Sequence, residues 1–309
     1  MQGDGVMFEK RVYELVELLN TYREEYYNKS EPSVTDKVYD SLFDELNELE
    51  EITGIYLQNS PTQSVGYEVI NTSEKVVHKK PILSLDRTKN VRKVVDFIDG
   101  NKVLFMHKVD GITIVLEYVD GKLACASTRG NGKEGRNITD SVYGITGVPL
   151  KISYKKRLIV VGEGYVKNDD YIKAKNEFLD SNGKPYVDAR NFASKSIQST
   201  SARICKKYNI RFMPFNILNG LDEDDNLSDS KLFRLKKLTE MNFNPCELVV
   251  MDKVSSVDSV KNYIKMLHNS ANKCQIPVDG IVVTFDSIAY SELCGRTKHH
   301  YNDAIAFKF

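Results

Sequence analysis

Lys108-Val109-Asp110-Gly111 is the stretch of the chain with the most chemistry in it. The apolar run Val103-Leu104-Phe105 leads in, and Ile112-Thr113-Ile114-Val115-Leu116 leads out. A lysine delivered to a turn between two strands is rigidly held, and burial there can lower its pKa until the amine is a nucleophile. Asp-Gly between strands is also the commonest hairpin turn, so a plain hairpin is the alternative. Other segments carry groups suited to a nucleotide phosphate near this lysine. Thr128-Arg129-Gly130-Asn131-Gly132 pairs glycines that permit close backbone approach with an arginine for phosphate or ribose, although it also reads as a surface turn. Val160-Val161-Gly162-Glu163-Gly164 sets an acid at a strand end, where it could accept from ribose hydroxyls. Val278-Asp279-Gly280-Ile281-Val282-Val283 is a second apolar strand opened by Asp-Gly. Ala304-Ile305-Ala306-Phe307-Lys308-Phe309 carries one lysine among apolar neighbours. Such a lysine is costly unless it meets an anion, the alternative being an edge lysine that snorkels to water.

These groups need a frame. Phe8, Val12, Leu15, Val16, Leu19, Tyr22 and Tyr26 recur at helical spacing and predict a helix from residue 8 to about 28, broken by Glu31-Pro32. Ser33-Val34-Thr35-Asp36 is a capping-box pattern that opens a second helix, ended by Gly54. Beyond about residue 100 the pattern turns to short strands: 102–106, 112–118, 123–127 and 158–161, with Asp120-Gly121 as a hairpin turn. Helices are expected over 168–180, 191–198, 232–241 and 257–267, and strands over 210–218, 280–285 and 304–309. Helices leading into a mixed strand-and-helix body make the fold class α+β, not an alternating wind.

A chain of 309 residues, 41% apolar and 28% charged, has ample length for a globular core. Its 43 Lys and Arg balance 43 Asp and Glu, so net charge gives no argument for nucleic-acid binding and any such role rests on local patches. No apolar run approaches a membrane span, and MQGDGVMFEK lacks a signal-peptide core, which predicts a cytoplasmic protein without a membrane partner. The five cysteines are scattered, with no Cys-x-x-Cys pair to suggest zinc or a disulfide framework. The acidic run 222–226 reads as a solvated turn.

In order and spacing these segments resemble the covalent nucleotidyltransferases, and specifically the adenylation domain of bacterial NAD-dependent DNA ligases. The Lys-x-Asp-Gly motif is matched by Lys108–Gly111, and Thr-Arg-Gly-Asp-Gly by Thr128–Gly132 with Asn131 for Asp. Gly162-Glu163, Gly183-Lys184-Pro185-Tyr186, Arg190-Asn191, the strand around Phe212 to Phe215, Asp279–Val283 and Ala304–Phe309 match the remaining motifs. Tyr22, Tyr26-Tyr27, Asp36 and Tyr39-Asp40 resemble the small helical module of the NAD-dependent branch, and Ser84-Leu85 the Ser-Leu at its nucleotide pocket.

The resemblance implies a helical nicotinamide-mononucleotide-binding module at residues 1–60 and a mainly antiparallel-sheet adenylation domain at 61–309. It implies NAD as cofactor and magnesium held mainly through phosphates. Lys108 would attack the α-phosphorus and carry AMP to the 5′-phosphate of nicked duplex DNA, with Asp110 and Lys308 as its catalytic neighbours. Val109, Gly111, Arg129, Glu163, Arg190, Phe215, Asp279, Val282, Ser84 and Leu85 would hold the AMP half. Tyr22, Tyr26, Tyr27, Asp36, Tyr39 and Asp40 would hold the nicotinamide side, whose positive ring suits aromatic and acidic neighbours. The tyrosines read equally well as helix packing. Nearby cations would favour the neutral amine of Lys108. A monomer is expected. In the family further DNA-binding domains follow the last strand, so nick sealing by these residues alone is expected to be weak.

The chain departs from the family pattern at several positions. Thr284 stands where a phosphate-contacting lysine is expected, Met106 where a glutamate is expected at adenine, Gln198 for an arginine, Lys195 for a small residue and Asp303 for a tryptophan. Loss of one charge-assisted hydrogen bond costs about 1.5–3 kcal/mol. Lys298 and Lys273 are the candidates for a replacement cation. A divergent relative that binds nucleotide or DNA without turnover is therefore the second reading.

Overall fold

The computed structural model describes residues 2–25, 33–55, 57, 60–62, 75–180, 182–223, 228–252 and 256–309. Two helices come first, α1 (Gln2–Glu24) and α2 (Asp36–Thr53). Then come β1 (Lys75–Val77), β2 (Ser84–Thr88), α3 (Val91–Ile98), β3 (Val103–Val109), β4 (Ile112–Val119), β5 (Lys122–Thr128), β6 (Glu134–Arg136) and the single turn α4 (Thr139–Val142). β7 (Leu158–Tyr165) leads to α5 (Asn168–Ala174), α6 (Ala189–Gln198), α7 (Ala202–Lys207) and β8 (Arg211–Asn219). α8 (Lys231–Glu240), β9 (Leu248–Met251), α9 (Val257–Lys273), β10 (Val278–Phe285), α10 (Ile288–Cys294) and β11 (His300–Lys308) come last.

The helical pair closes on its own core, with Val12, Leu15, Val16 and Leu19 of α1 against Leu46 and Leu49 of α2. Arg11 fastens the outside by donating from Nε to Glu45 at 2.7 Å. Thr35, not Ser33, is the N-cap of α2, its hydroxyl accepting from the Val38 amide. Ser33 is turned the other way, donating to Glu25. Gly54 ends the helix as expected, in the left-handed conformation at φ 70°.

Two sheets build the body, ordered β2-β11-β10-β3-β9 and β5-β4-β7-β8. β3, β10 and β11 pair antiparallel, and only β2 joins parallel, on β11. Asp120-Gly121 is a hairpin turn between β4 and β5, both residues at positive φ. Asp110-Gly111 is not one, because β3 and β4 belong to different sheets. The chain leaves one sheet at Val109 and enters the other at Ile112, which puts Lys108 on the seam. A Cβ on Gly111 would lie 2.2 Å from the Gly164 carbonyl oxygen, so only glycine lets the crossing pass this close to β7.

Each sheet has its own core. Leu104, Ile114, Leu116, Tyr118 and Val160 join Phe192 and Ile197 of α6 and Leu235 and Leu238 of α8. Phe105, Ile281, Val283 and Ile305 pack beneath α3 and α9. Alternation along β3 explains the division, with Phe105 facing one core and Leu104 and Met106 the other. The helix expected over 168–180 ends at Ala174, and α9 runs six residues past its expected end at 267. α3, α4, α7, α10, β1, β2, β6 and β9 are additional elements, most of them too short to show a period. No helix among the described residues is long and apolar enough to cross a membrane.

Candidate active site

A cleft of about 1340 Å³ opens between the two sheets and the helical pair. Its floor is the matched face of β3, β10 and β11. Lys108 lies opposite Gly280, which lies opposite Lys308; the next rows are Met106, Val282 and Ala306, then Leu104, Thr284 and Ala304. The opposite wall carries Thr113, Val161, Glu163 and Phe215 of the other sheet.

The Lys108 ammonium lies 2.9 Å from Asp279 Oδ1 and donates to Oδ2 at 3.0 Å. Lys308 donates to the same Asp279 Oδ2 at 2.7 Å, so one carboxylate holds both cations. Burial pushes the Lys108 amine down, but Asp279, Asp110 and Glu163 together more than offset it and the net shift is upward. The expected lowering is therefore reversed: the nearest charges are carboxylates, and the resting group is an ammonium. Burial pushes Asp279 up, yet Lys108 and Lys308 outweigh it and hold the carboxyl down at about 2.

Two further carboxyls titrate near neutrality. Burial, then the charge of Asp279, raises Asp110 to about 7 against the pull of Lys108. Glu163 also reaches about 7, through burial that Lys108, Arg129 and a 3.1 Å hydrogen bond from Thr113 only partly offset. Arg190, in the first turn of α6, donates to Asp110 at 3.2 Å and so reaches the nucleophile's turn.

The segment after β5 turns tightly, with Gly130 at φ 56° and a Cβ there placed 2.0 Å from the Glu134 carbonyl oxygen. Asn131 Oδ1 accepts from the amides of Lys133 and Glu134, so the change from Asp keeps the oxygen this turn requires. His78 was not foreseen. Its Nε2 lies 3.1 Å from both the Thr128 and Arg129 carbonyl oxygens and, since a carbonyl only accepts, donates to them. The ring thereby fixes the backbone that presents Arg129 to the cleft.

Asp40 is where the helical pair meets the body. It accepts from Arg87 of β2 at 2.5 Å and from Lys308 at 2.7 Å. Arg87 also reaches Asp44 at 2.8 Å and stacks its guanidinium 4.5 Å from the Phe43 ring centre. Tyr22, Tyr39, Ser84, Leu85, Val109 and Val282 all line the cleft. Tyr39 packs on Phe43 as well, its rings 6.2 Å apart, so the packing alternative holds in part. Asp36 opens α2. Tyr26 and Tyr27 lie outside the described residues.

At the far end of the floor Thr284 is buried, and the cation beside it is Lys231, at the start of α8. Lys231 donates to Thr284 Oγ1 at 2.7 Å and to Asp303 Oδ2 at 2.6 Å. Neither Lys273 nor Lys298 lines the cleft; Lys231 does. Sequence reasoning missed it because 53 residues separate it from Thr284. The available signal was the joint change at 284 and 303, two adjoining sites on paired strands.

The site is thus a strand-borne lysine facing a second lysine across one carboxylate, in a cleft roofed by a helical pair. The family model of the NAD-dependent DNA ligase adenylation domain matches residues 70–309, and that of the DNA ligase-like N-terminal NAD+-binding domain matches residues 7–66. The chain belongs to the NAD-dependent DNA ligase family. It is 35% identical to a DNA ligase of Ruminiclostridium cellulolyticum over 95% of its own length and 44% of the relative's. It is 33% identical to a DNA ligase of Lachnoclostridium phytofermentans over 100% of its length and 46% of the relative's. The chain thus spans less than half the length of these relatives.

Proposed function

We propose that the chain transfers the adenylyl group of NAD to its own Lys108, for delivery to the 5′-phosphate of nicked duplex DNA. The observation that carries this reading is the Lys108 ammonium on the seam of two sheets, sharing Asp279 with Lys308. The cleft's chemistry suits the dinucleotide: cations at the seam, an acid and an aromatic ring on the wall, and tyrosines on the helical pair. Residues 1–60 then serve as the nicotinamide-mononucleotide module and 61–309 as the adenylation domain, working as a monomer in the cytoplasm.

In the reaction the Lys108 nitrogen lone pair forms a bond to the α-phosphorus. The P–O bond to the nicotinamide half breaks, and its electron pair leaves on that oxygen. Lys108 must first leave Asp279 and give up a proton. Asp110 and Glu163, each pushed up to about 7 chiefly by burial, are acceptors matched to neutral pH. Lys308 stabilises charge on the phosphoryl oxygens. Gly111 and Val109 shape the turn, Arg129 orients the AMP half, Glu163 accepts from ribose, and Phe215 stacks on adenine. Tyr22 and Tyr39 offer ring faces to the nicotinamide side. Magnesium would be carried mainly by the substrate's phosphates and would shield their charge.

Incubation with NAD and magnesium should yield a protein heavier by one AMP in intact-mass measurement, and ATP should not. Absence of that adduct with NAD would falsify the proposal.

A further inference from the structure

Thr284, Lys231 and Asp303 form a closed polar triad at the end of the floor away from the nucleophile. Lys231 donates to Thr284 at 2.7 Å and to Asp303 at 2.6 Å, while the Thr284 hydroxyl donates to the Asp303 carbonyl oxygen at 3.0 Å. Two of the three ammonium donors are thus committed, and one remains. The Asp303 carboxylate has a second oxygen beside the one Lys231 uses. The Lys231 and Asp303 side chains are 15% and 21% exposed, and the surface they keep lies in the cleft. A cation and a carboxylate there are costly to desolvate, and α8 would seat without them, since Ser230 and the Leu232 amide already anchor it to Asp286 at 2.9 Å.

Position fixes what this pair can meet. Thr284 lies four residues along β10 from Gly280, the partner of Lys108. At the rise of a strand that separation is about 13 Å. It is too long for both ends to touch one phosphate, and it matches the reach of an extended nucleoside monophosphate from phosphorus to the far edge of its base. The rows between, Met106 with Val282 and Ala306, are apolar and offer a flat base a surface rather than a hydrogen bond.

We propose that Lys231 and Asp303 read the Watson–Crick edge of the base and set the protein's preference for adenine. Lys231 donates to N1, and Asp303 accepts from the N6 amino group. Hypoxanthine in the same place turns an N1–H toward the ammonium and O6 toward the carboxylate, so both contacts reverse sign. Thr284 positions the ammonium through its hydroxyl. The inference rests on the reading of the cleft as an adenylate pocket.

The test is calorimetric titration of the full chain with AMP and with IMP, which requires no chemistry. The chain should bind AMP at least about tenfold more tightly than IMP. Lys231→Met and Asp303→Asn should each bring that ratio close to one. Lys231→Met combined with Thr284→Lys, which returns an ammonium to the same place from the strand, should restore it. A ratio unchanged in both single variants, with melting curves that show them folded, assigns the triad to packing and overturns the proposal. So does a native chain that binds AMP and IMP equally, a comparison that stands even if Lys231→Met does not fold. A native chain that prefers AMP but forms no adduct from NAD overturns the adenylyl-transfer reading alone. One that forms the adduct without preferring AMP overturns this inference alone.

Discussion

The two ends of the cleft floor use the same three strands and hold their cations in different ways. At the seam, Lys108 of β3 and Lys308 of β11 are strand-borne, and the ladder on either side of β10 fixes their separation. At the far end, the cation comes from the first turn of α8, and its place depends on how that helix sits against Asp286. Chemistry that must align a nitrogen with a phosphorus gains from backbone register, because side-chain packing changes cannot shift it. Recognition of a base tolerates a cation brought from elsewhere, provided the ammonium reaches the same spot. Hence the seam keeps its motif charges, Lys108, Asp110, Asp279 and Lys308, whereas at the far end Thr284 and Asp303 both depart from the family pattern and Lys231 supplies the cation.

The largest separation between the ends should come from Lys108→Ala. AMP adduct formation should vanish by intact mass, while the preference for AMP over IMP by calorimetry, set at the other end, stays within about threefold of the native ratio. A persistent adduct would place the nucleophile elsewhere and collapse the distinction. Next is Asp279→Asn, which withdraws the one carboxylate that both seam cations share. Without it nothing sets the two lysines at their resting spacing, and adduct formation should slow by about 10- to 100-fold through misplacement of the nucleophile, even though Lys108 no longer has a carboxylate to leave. An equal fall in AMP affinity would mean that Asp279 serves both ends.

A smaller effect is expected from Arg87→Met, which loosens the helical pair from the body. The KM for NAD should rise by about three- to tenfold, as befits part-exposed ion pairs, with AMP affinity unchanged. Parallel changes in both would show that the pair also shapes the base end.

The smallest effect concerns stability and pH. Glu163 is pushed from 4.5 to about 7, so between those values the folded chain binds more protons than the unfolded one. Its contribution therefore makes stability fall as pH rises from about 4.5 to about 7, and level off above. Asp279, held down at about 2, acts in the opposite sense and only at lower pH, its contribution lost as pH falls from 3.8. Thermal unfolding of Glu163→Gln at pH 5 and pH 8 should show a smaller drop in Tm than the native chain, by a few degrees. An equal drop in both would mean that Glu163 is ionised throughout.

Much of this was legible from residues alone. Helical spacing gave α1 and α2, and alternation gave β4, β5, β8, β10 and β11 to within a few residues. Lys108, Asp279 and Lys308 stood out as charges set in apolar strands, and they do converge. The seam itself was hidden. Asp120-Gly121 and Asp110-Gly111 look alike locally, yet the first turns a hairpin and the second changes sheets. That choice is made by pairing between β3 and β10, about 170 residues apart, and no local period records it. The direction of the Lys108 shift was hidden for the same reason, since it depends on which carboxylates surround the amine in space. Arg87 and His78 carry no local signal because their partners come from distant segments.

The pairing of Lys308 with Asp40 and Asp279, and of Lys108 with Asp279, has a further consequence for how the cleft takes up anions. The floor works as a small ion exchanger. A phosphate entering at the seam would not meet an uncompensated positive well; it would compete with carboxylates already seated there. Because Asp279 and Asp40 already cancel much of the positive potential there, binding at this end should depend on ionic strength less than at a bare lysine pair. What decides uptake is how well each oxygen geometry suits the two ammonium groups, and an α-phosphate with a bridging neighbour can satisfy both at once.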